Sequence, residues 1–227
     1  MSSRRDITGP DQVIDINEFI KYGLVYTDNL GWIDLGHANP EGALSLWRQM
    51  INPHYTEGDF FRVAYRQSMS RKLIRGFGLT KLTTSVSKEY YVKRGLHIDQ
   101  LMGIAYAIFL NTSYDFESLQ NRFPFNMITD SGFSVEDLIS NIIGFHSAVH
   151  STNYLEKLKI KESSYAFKIW DFYGPVGGYK NNELKPMLFP DPEDDTVPHE
   201  PYKIPLPDFL SRIKPISDKR FVREIFY

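Results

Sequence analysis

Three polar residues at the end of a predicted strand offer the most direct chemistry in this sequence. Asp34, His37 and Asn39 lie within residues 31–39 (GWIDLGHAN), where an apolar run gives way to a helix start. His37 could act as a general base or a metal ligand, with Asp34 or Asn39 orienting its ring. Asp34 and His37 would face opposite sides of a regular strand, so they meet only if the chain bends at Gly36. The alternative is that Asn39 only caps the helix and His37 bonds a backbone carbonyl.

A second group of polar residues lies at the start of a helix predicted over residues 134–150. Glu136 and Ser140 are four residues apart, and Asp137 and Asn141 form a second such pair. Ser134 and Asp137 resemble a capping box, with Asp in the place usually held by Glu or Gln. Carboxylates also favour a helix N-terminus through the dipole, which is the preferred explanation for Asp137. Glu136 and Asn141 stay candidates for a site.

A third candidate carboxylate, Glu117, follows the most apolar predicted helix and is three residues before Gln120. Apolar neighbours raise the pKa of a carboxyl group and suit it to act as a general acid. Paired with Asp34 or Glu136, Glu117 would form the two-carboxylate arrangement of a glycosidase. The chain holds 28 acidic residues, so such pairs also arise by chance.

Metal or thiol chemistry has little support in the sequence. His146 and His150 have the i, i+4 spacing of two metal ligands on a helix, but Ser147 stands where the glutamate of an HExxH motif would be. His37 is the remaining candidate for a third ligand, so a hydrogen-bonded core histidine is preferred to a metal ligand. The absence of cysteine excludes thiol nucleophiles and Cys-ligated metals. We expect no cofactor, with zinc on the three histidines as the alternative.

The elements that must position these residues follow from periodicity. Alternation and turn residues predict strands over 20–27 and 30–35, parted by a turn at Asp28 and Asn29, and strands over 60–67 and 79–92, parted by a turn near Gly76 and Gly78. A helix with Asn39 as cap is predicted to end at Asn52, and the 3.6-residue period returns from residue 98 and again over 134–150. This pattern predicts an α+β fold, with an antiparallel sheet packed against two to three helices.

The chain divides into three segments by composition. Residues 1–12 lack periodicity and are predicted to be a mobile lead-in, and residues 13–173 form a single α+β domain. Residues 174–227 hold 9 of the 13 prolines, which predicts an extended, proline-rich C-terminal arm wrapping the same domain, with one short helix near 208–213.

The net charge of −2 argues against nucleic-acid binding. The longest apolar stretch, residues 101–110, is about half of a membrane span, so no span is expected. The start, MSSRRDITGPDQ, lacks the apolar run of a secretory signal, which leaves the cytoplasm or export by a signal-less route.

Four segments of the chain resemble an uncharacterised bacterial family, a domain of unknown function. They are YTDNLGWIDLGHANPEGALSLW (26–47), YYVKRGL (90–96), FESLQ (116–120) and FSVEDLISNIIGF (133–145), and the resemblance spans roughly residues 20–150. The resemblance assigns no specific activity to the chain. It implies an envelope-directed or toxin-like enzyme, and it implies that the recurring motifs contain Asp34, His37, Glu117, Gln120, Glu136, Ser140 and Asn141.

These observations favour a hydrolase acting on cell-wall polysaccharide or peptidoglycan. His37 or Glu136 would be the base, with Asp34 beside them and Glu117 as a candidate acid. The expected substrate-binding residues are Asn39, Gln120, Ser140, Asn141 and Trp32, since aromatic rings pack against sugar faces. One alternative is a non-catalytic effector-partner or immunity-type protein that binds another protein through the C-terminal arm. The other is a metal hydrolase using His37, His146 and His150.

Overall fold

The computed structural model describes residues 2–13, 23–54, 57–75, 78–120 and 134–226. The described elements in chain order are β1 (Leu24–Thr27), β2 (Gly31–Asp34), α1 (Glu41–Ile51), β3 (Phe60–Arg75), β4 (Gly78–Lys93), α2 (Ile98–Gln120), α3 (Asp137–His150), α4 (Ser163–Tyr173), β5 (Met187–Leu188), β6 (Tyr202–Lys203), α5 (Asp208–Ser211) and β7 (Val222–Glu224). Helices pack against mostly antiparallel strands, which confirms the predicted α+β class. The strands form two sheets where the sequence suggested one.

The first sheet contains the predicted hairpin and two short strands from the C-terminal arm. β1 and β2 pair antiparallel, with Thr27 opposite Gly31, and the order of the sheet is β1-β2-β5-β6. β5 joins β2 in parallel at Gly31 and Met187. Gly31 has a φ of 71°, and a Cβ there would lie 2.0 Å from the Met187 carbonyl oxygen. A side chain at residue 31 would therefore separate the arm from the sheet.

The second sheet is a long hairpin of β3 and β4, and the short strand β7 pairs with β4 on the side away from β3. The register runs from Phe60 opposite Lys93 to Arg75 opposite Gly78, and β7 pairs only near residues 90–92. Both predicted strands are present, and the first continues well beyond residue 67. Gly76, predicted to lie in the turn, is outside the described residues.

Helix α3 lies at the centre of the molecule and is buried on nearly every side. It packs against α1, α2 and β2, so its first turn is held beside the end of β2. Helix α2 is continuous to Gln120, so Glu117, which the sequence placed after the most apolar helix, lies within it. Thr112 Oγ donates a hydrogen bond to the Ile108 carbonyl, which keeps its hydroxyl within the helix.

The main apolar cluster contains buried residues from β1 to β4 and from α1, α2 and α3. A second apolar cluster covers the other face of β1 and β2. Its buried members are Ile7, Leu24, Tyr26, Trp32, Val135, Ala166, Ile169, Trp170, Val176 and Phe189. Helix α4, which the sequence analysis did not predict, supplies three of these side chains. The predicted lead-in supplies Ile7, and Arg4 of the same segment forms an ion pair with Asp171 of α4. The mobility of residues 1–12 stays a prediction.

The proline-rich arm contributes to both sheets and to the main core. β5 and β6 extend the first sheet, β7 extends the second, and α5 lies within the predicted range of 208–213. Leu210, Ile213 and Val222 of the arm are buried in the main apolar cluster. Within the ranges given above, no helix is both long and apolar enough to cross a membrane.

Candidate functional site

A cleft of about 800 Å³ opens beside the end of β2. It lies between the turn that follows β2, the first turn of α1, residues 65–68 of β3 and the helices α2 and α3. The lining residues are Ser2, Asp6, Gly23, Asp34, Gly36, His37, Asn39, Glu41, Gly42, Ala43, Tyr65, Arg66, Gln67, Ser68, Phe109, Phe116 and Asn141. We call this space the site cleft. A volume of this size is typical of a small-molecule or substrate site.

The chain turns sharply after β2, and the side chain of Asp34 holds the turn. One Asp34 carboxylate oxygen, Oδ1, accepts hydrogen bonds from the N–H groups of Gly36 at 2.7 Å and His37 at 3.1 Å. The Ala38 N–H donates to the Asp34 carbonyl at 2.9 Å. This turn replaces the regular strand that would have placed Asp34 and His37 on opposite sides, and both residues line the site cleft.

The His37 ring lies against the first turns of α3. Its Nδ1 is 3.4 Å from Asn141 Oδ1, and its Nε2 is 3.8 Å from Asp137 Oδ1. The amide oxygen of Asn141 can only accept, so a hydrogen bond from His37 requires the tautomer with the hydrogen on Nδ1, which leaves the lone pair on Nε2. The side chain of His37 keeps 23% of its exposure, whereas that of Asp137 keeps 6%. The His37 ring therefore lies between the buried carboxyl group of Asp137 and the site cleft.

The hydroxyl of Ser2 lies between two carboxyl groups. Ser2 Oγ is 3.2 Å from Asp34 Oδ2 and 3.4 Å from Glu136 Oε1. A hydroxyl has one hydrogen to donate, so it cannot satisfy two carboxylates at once. When Glu136 is protonated, its O–H can donate to Ser2 while Ser2 donates to Asp34. This geometry forms a short proton path from the buried Glu136 to Asp34 at the cleft surface.

Burial and mutual repulsion favour the protonated form of two of these carboxyl groups. Burial is the main cause that raises the pKa of Glu136 to about 7, and the charge of Asp34 adds to it. Burial also raises the pKa of Asp137 well above its ordinary value, with further contributions from Glu136, Glu117 and Asp34. A carboxyl group that holds its proton near neutral pH can act as a general acid.

The polar residues behind these groups fix their positions. Ser140 Oγ accepts the Asp34 N–H at 2.9 Å and donates to the Glu136 carbonyl at 2.5 Å, so it ties β2 to α3. Asn39 Oδ1 accepts the Glu41 N–H at 2.9 Å, so Asn39 caps α1 as well as lining the site cleft. The Ser134 N–H donates to Asp137 at 3.0 Å, which is one half of the expected capping box.

Two of the expected substrate-binding residues, Trp32 and Ser140, do not line the site cleft, and Ser140 is fully buried. Trp32 is only 2% exposed and lies in the second apolar cluster, with its ring edge-on to Tyr26 and Trp170. The side chain of Gln120, the last residue of α2, lies outside the described residues. Glu117, the candidate acid, is fully buried and does not line the site cleft, and its proximity is one cause that raises the pKa of Asp137.

The two histidines of α3 lie in an aromatic cluster and do not line the site cleft. The rings of His146 and His150 are 5.8 Å apart, and each packs against Tyr154. Burial lowers the pKa of His146 to about 4, so its ring is neutral at physiological pH. Within the described part of the chain, no three His, Asp or Glu residues are placed to hold a metal ion. The structure therefore does not assemble the three-histidine set with His37.

Sequence reasoning missed several residues of the site. Asp137 was explained as a helix-terminal carboxylate, and Ser2 carries no local signal because its partners are more than thirty residues away. Residues 65–67 were predicted to be part of a strand, but the alternation of the sequence does not indicate which segments of the chain lie next to the edge of that strand. Comparison of the chain with protein-family models, with curated proteins and with solved structures gives no match. The resemblance to a bacterial family therefore stays a prediction.

Proposed function

We propose that this protein is a hydrolase that works by general acid–base catalysis in the site cleft. The observation that carries the proposal is that Asp34 and His37, at the wall of a substrate-sized cleft, lie next to two buried carboxyl groups. Asp137 is 3.8 Å from His37 Nε2, and Glu136 shares the Ser2 hydroxyl with Asp34. Acid–base hydrolysis needs one group that accepts a proton and another that donates one at the same pH. An imidazole can accept a proton in its neutral form, and Glu136, with a pKa of about 7, can donate one.

In the proposed reaction, a water molecule attacks the electrophilic carbon of the scissile bond and gives its proton to His37 Nε2. As the scissile bond breaks, Glu136 gives its proton to Ser2, Ser2 gives its own proton to Asp34, and Asp34 passes a proton to the leaving atom, which leaves Glu136 ionised. His37 then releases the proton it took to water in the cleft, and Glu136 takes one back from that water through Asp34 and Ser2, so that the starting state is restored. The first turn of α1, where N–H groups lack intrahelical partners, borders the same cleft and favours a developing negative charge.

The substrate class we propose is cell-wall polysaccharide or peptidoglycan, in an envelope-directed or toxin-like role. The support is the sequence resemblance together with a cleft lining that combines polar residues with the aromatic residues Tyr65, Phe109 and Phe116. Both a glycosidic and an amide bond can be cleaved by the same pair of proton transfers. The products of digestion distinguish the two.

The test is digestion of purified sacculi with the full chain, followed by mass spectrometry of the released fragments. Wild type should release soluble fragments, and His37→Ala and Glu136→Gln should each lower the rate by about 10²–10⁴-fold. His54→Ala and Glu156→Gln are matched controls, since both side chains are exposed and outside the cleft, and they should keep the wild-type rate. If wild type releases nothing, or if all four variants are equally active, the proposal is wrong.

A further inference from the structure

One border of the site cleft is the outer edge of strand β3. β3 pairs with β4 on one side, and the order of this sheet is β3-β4-β7. Among the described residues, no strand pairs with the other side of β3. Residues 65–68 of this edge line the site cleft. A strand edge presents alternating N–H and C=O groups that another extended chain can bond.

The side chain of Gln49 in α1 shows in which direction these groups point. Gln49 Nε2 donates to the Ala64 carbonyl at 2.9 Å, and Gln49 Oε1 accepts the Ala64 N–H at 2.9 Å. Both backbone groups of Ala64 therefore face the outer edge. Backbone direction repeats every two residues in a strand, so the N–H and C=O groups of Arg66 and Ser68 face the same way.

The opposite strand agrees with this assignment. Glu89 is paired with Ala64, and its carbonyl accepts a hydrogen bond from Ile225, on the side away from β3. Ala64 and Glu89 are therefore a non-hydrogen-bonded pair of the β3–β4 ladder. The pairs formed by Arg66 and Ser68, two and four residues further along, are of the same type, which leaves their backbone groups to the outer edge.

The carboxamide of Gln49 has the same donor and acceptor as a peptide group. It occupies the edge at Ala64, and the next two outward positions, Arg66 and Ser68, open into the site cleft. The guanidinium of Arg66 donates to Ser85 Oγ of β4, on the side opposite to the outer edge. No group within the described ranges bonds the outward N–H and C=O of Arg66 or Ser68.

We propose that an extended peptide segment binds in the site cleft as an added strand along β3, with its backbone bonded to Arg66 and Ser68. This inference rests on the proposed hydrolase function and names the part of the substrate that the site holds. The ligand is an extended peptide backbone, which belongs either to an unfolded polypeptide or to the stem peptide of peptidoglycan. Main-chain bonding would hold the chain regardless of most of its side chains, and His37 borders the same cleft.

The test uses the full chain carrying Glu136→Gln, so that bound probe is not cleaved. Two probes are added separately: a reduced and carboxymethylated unfolded polypeptide, and soluble muropeptides with intact stem peptides. Backbone amide hydrogen exchange is measured by NMR at Arg66, Ser68 and Ser70. At 90% saturation, exchange at Arg66 and Ser68 should slow by about tenfold. Protection by one probe alone identifies the source of the peptide.

A pair of proline variants tests the edge without breaking the β3–β4 ladder. Ser68→Pro removes an outward N–H from the cleft, and proline is tolerated where the N–H of an edge strand faces away from its partner. Ser70→Pro makes the same change two residues further along, beyond the residues that line the cleft. Ser68→Pro should weaken binding by about tenfold, the loss of one net hydrogen bond, and Ser70→Pro should not.

The outcomes separate this inference from the proposed function. If neither probe slows exchange at Arg66 and Ser68, or if Ser68→Pro binds as tightly as Ser70→Pro, the added-strand inference is wrong even when sacculi are digested. If both amides are protected while wild type releases no fragments from any substrate, the peptide site stands and the hydrolase proposal fails.

Discussion

The Ser2 hydroxyl determines how the proton is shared between Glu136 and Asp34. Its hydrogen bond lowers the pKa of Glu136, against the larger effect of burial. We predict that Ser2→Ala raises the pKa of Glu136 above its wild-type value of about 7, because the charged form loses a donor. The measurement is a titration of the Glu136 carboxyl carbon by NMR. Ser45→Ala, on the exposed face of α1, should leave the midpoint unchanged.

Glu136 also makes the stability of the protein depend on pH. Its folded pKa of about 7 is above the ordinary 4.5, so the folded state holds a proton that the unfolded state loses. The free energy of unfolding should therefore fall as pH rises from 4.5 to 7, by at most about 3 kcal/mol from this group. Urea unfolding at several pH values measures the fall. Glu136→Gln should reduce it, and an unchanged slope would contradict the assignment.

His146 changes the stability of the protein with pH in the opposite direction, because its pKa is lowered in the folded state. Burial lowers its pKa to about 4 from 6.5, so its contribution to stability is fully present above pH 6.5 and is lost as the pH falls towards 4. We predict that acid unfolding of wild type begins in this range. His146→Phe, which keeps an aromatic ring in the cluster, should shift the midpoint of acid unfolding to lower pH, as followed by circular dichroism. A midpoint that does not move would exclude His146 as the cause.

At the scale of elements, the close approach of α3 to the turn after β2 builds the site. A Cβ at Gly144 would lie 2.9 Å from the Asn39 carbonyl oxygen and 3.0 Å from that of Ala38. Gly144→Ala should therefore destabilise the protein by about 1–3 kcal/mol, although alanine favours a helix, and it should move the His37 turn away from α3. Urea unfolding and the rate of sacculus digestion measure both effects.

Gly178→Ala is the control for this prediction, because a Cβ there meets no atom within 4 Å. Its free energy of unfolding should stay within about 0.5 kcal/mol of wild type. If Gly144→Ala behaves in the same way, the helix and the turn are not in the close contact described above.

Local patterns were sufficient to predict the β1–β2 hairpin, α1 and the start of α3. The turn residues Asp28 and Asn29 and the cap Asn39 act over a few residues, so their effect is visible in the sequence. The continuity of α2 and the presence of α4 depend on packing between distant segments. The length of β3 was underestimated because clean alternation ends after residue 67, while pairing with β4 continues to Arg75.

The same distinction applies to the site. His37, Asp34 and Glu136 were predicted because polar residues follow a strand or begin a helix. In the structure, Asp34 and His37 line one cleft, and Glu136 is buried with its carboxyl group 3.4 Å from the Ser2 hydroxyl. Ser2 and the edge of β3 reach that cleft through tertiary packing, which a single sequence does not encode locally. Trp32 was expected to bind substrate because aromatic rings pack against sugar faces, yet its position in β2 places its side chain in the second apolar cluster.

At the scale of the whole molecule, the C-terminal arm is part of the folded unit. Leu210, Ile213 and Val222 are buried in the main cluster, and β7 pairs with β4. We predict that removal of residues 190–227 abolishes cooperative folding, because it exposes this core. The measurement is urea unfolding of wild type and the truncated chain by circular dichroism and tryptophan fluorescence. A truncated chain with a cooperative transition would show that the arm is only attached to the surface.

The most direct test of the acid–base site is the NMR titration of the Glu136 carboxyl carbon in the wild-type full chain. The account predicts a midpoint near pH 7, since the group is buried beside Asp34 and bonded to Ser2. A midpoint near 4.5, the value of an exposed glutamate, would show that no proton is held beside the cleft at neutral pH and would contradict the proposed chemistry.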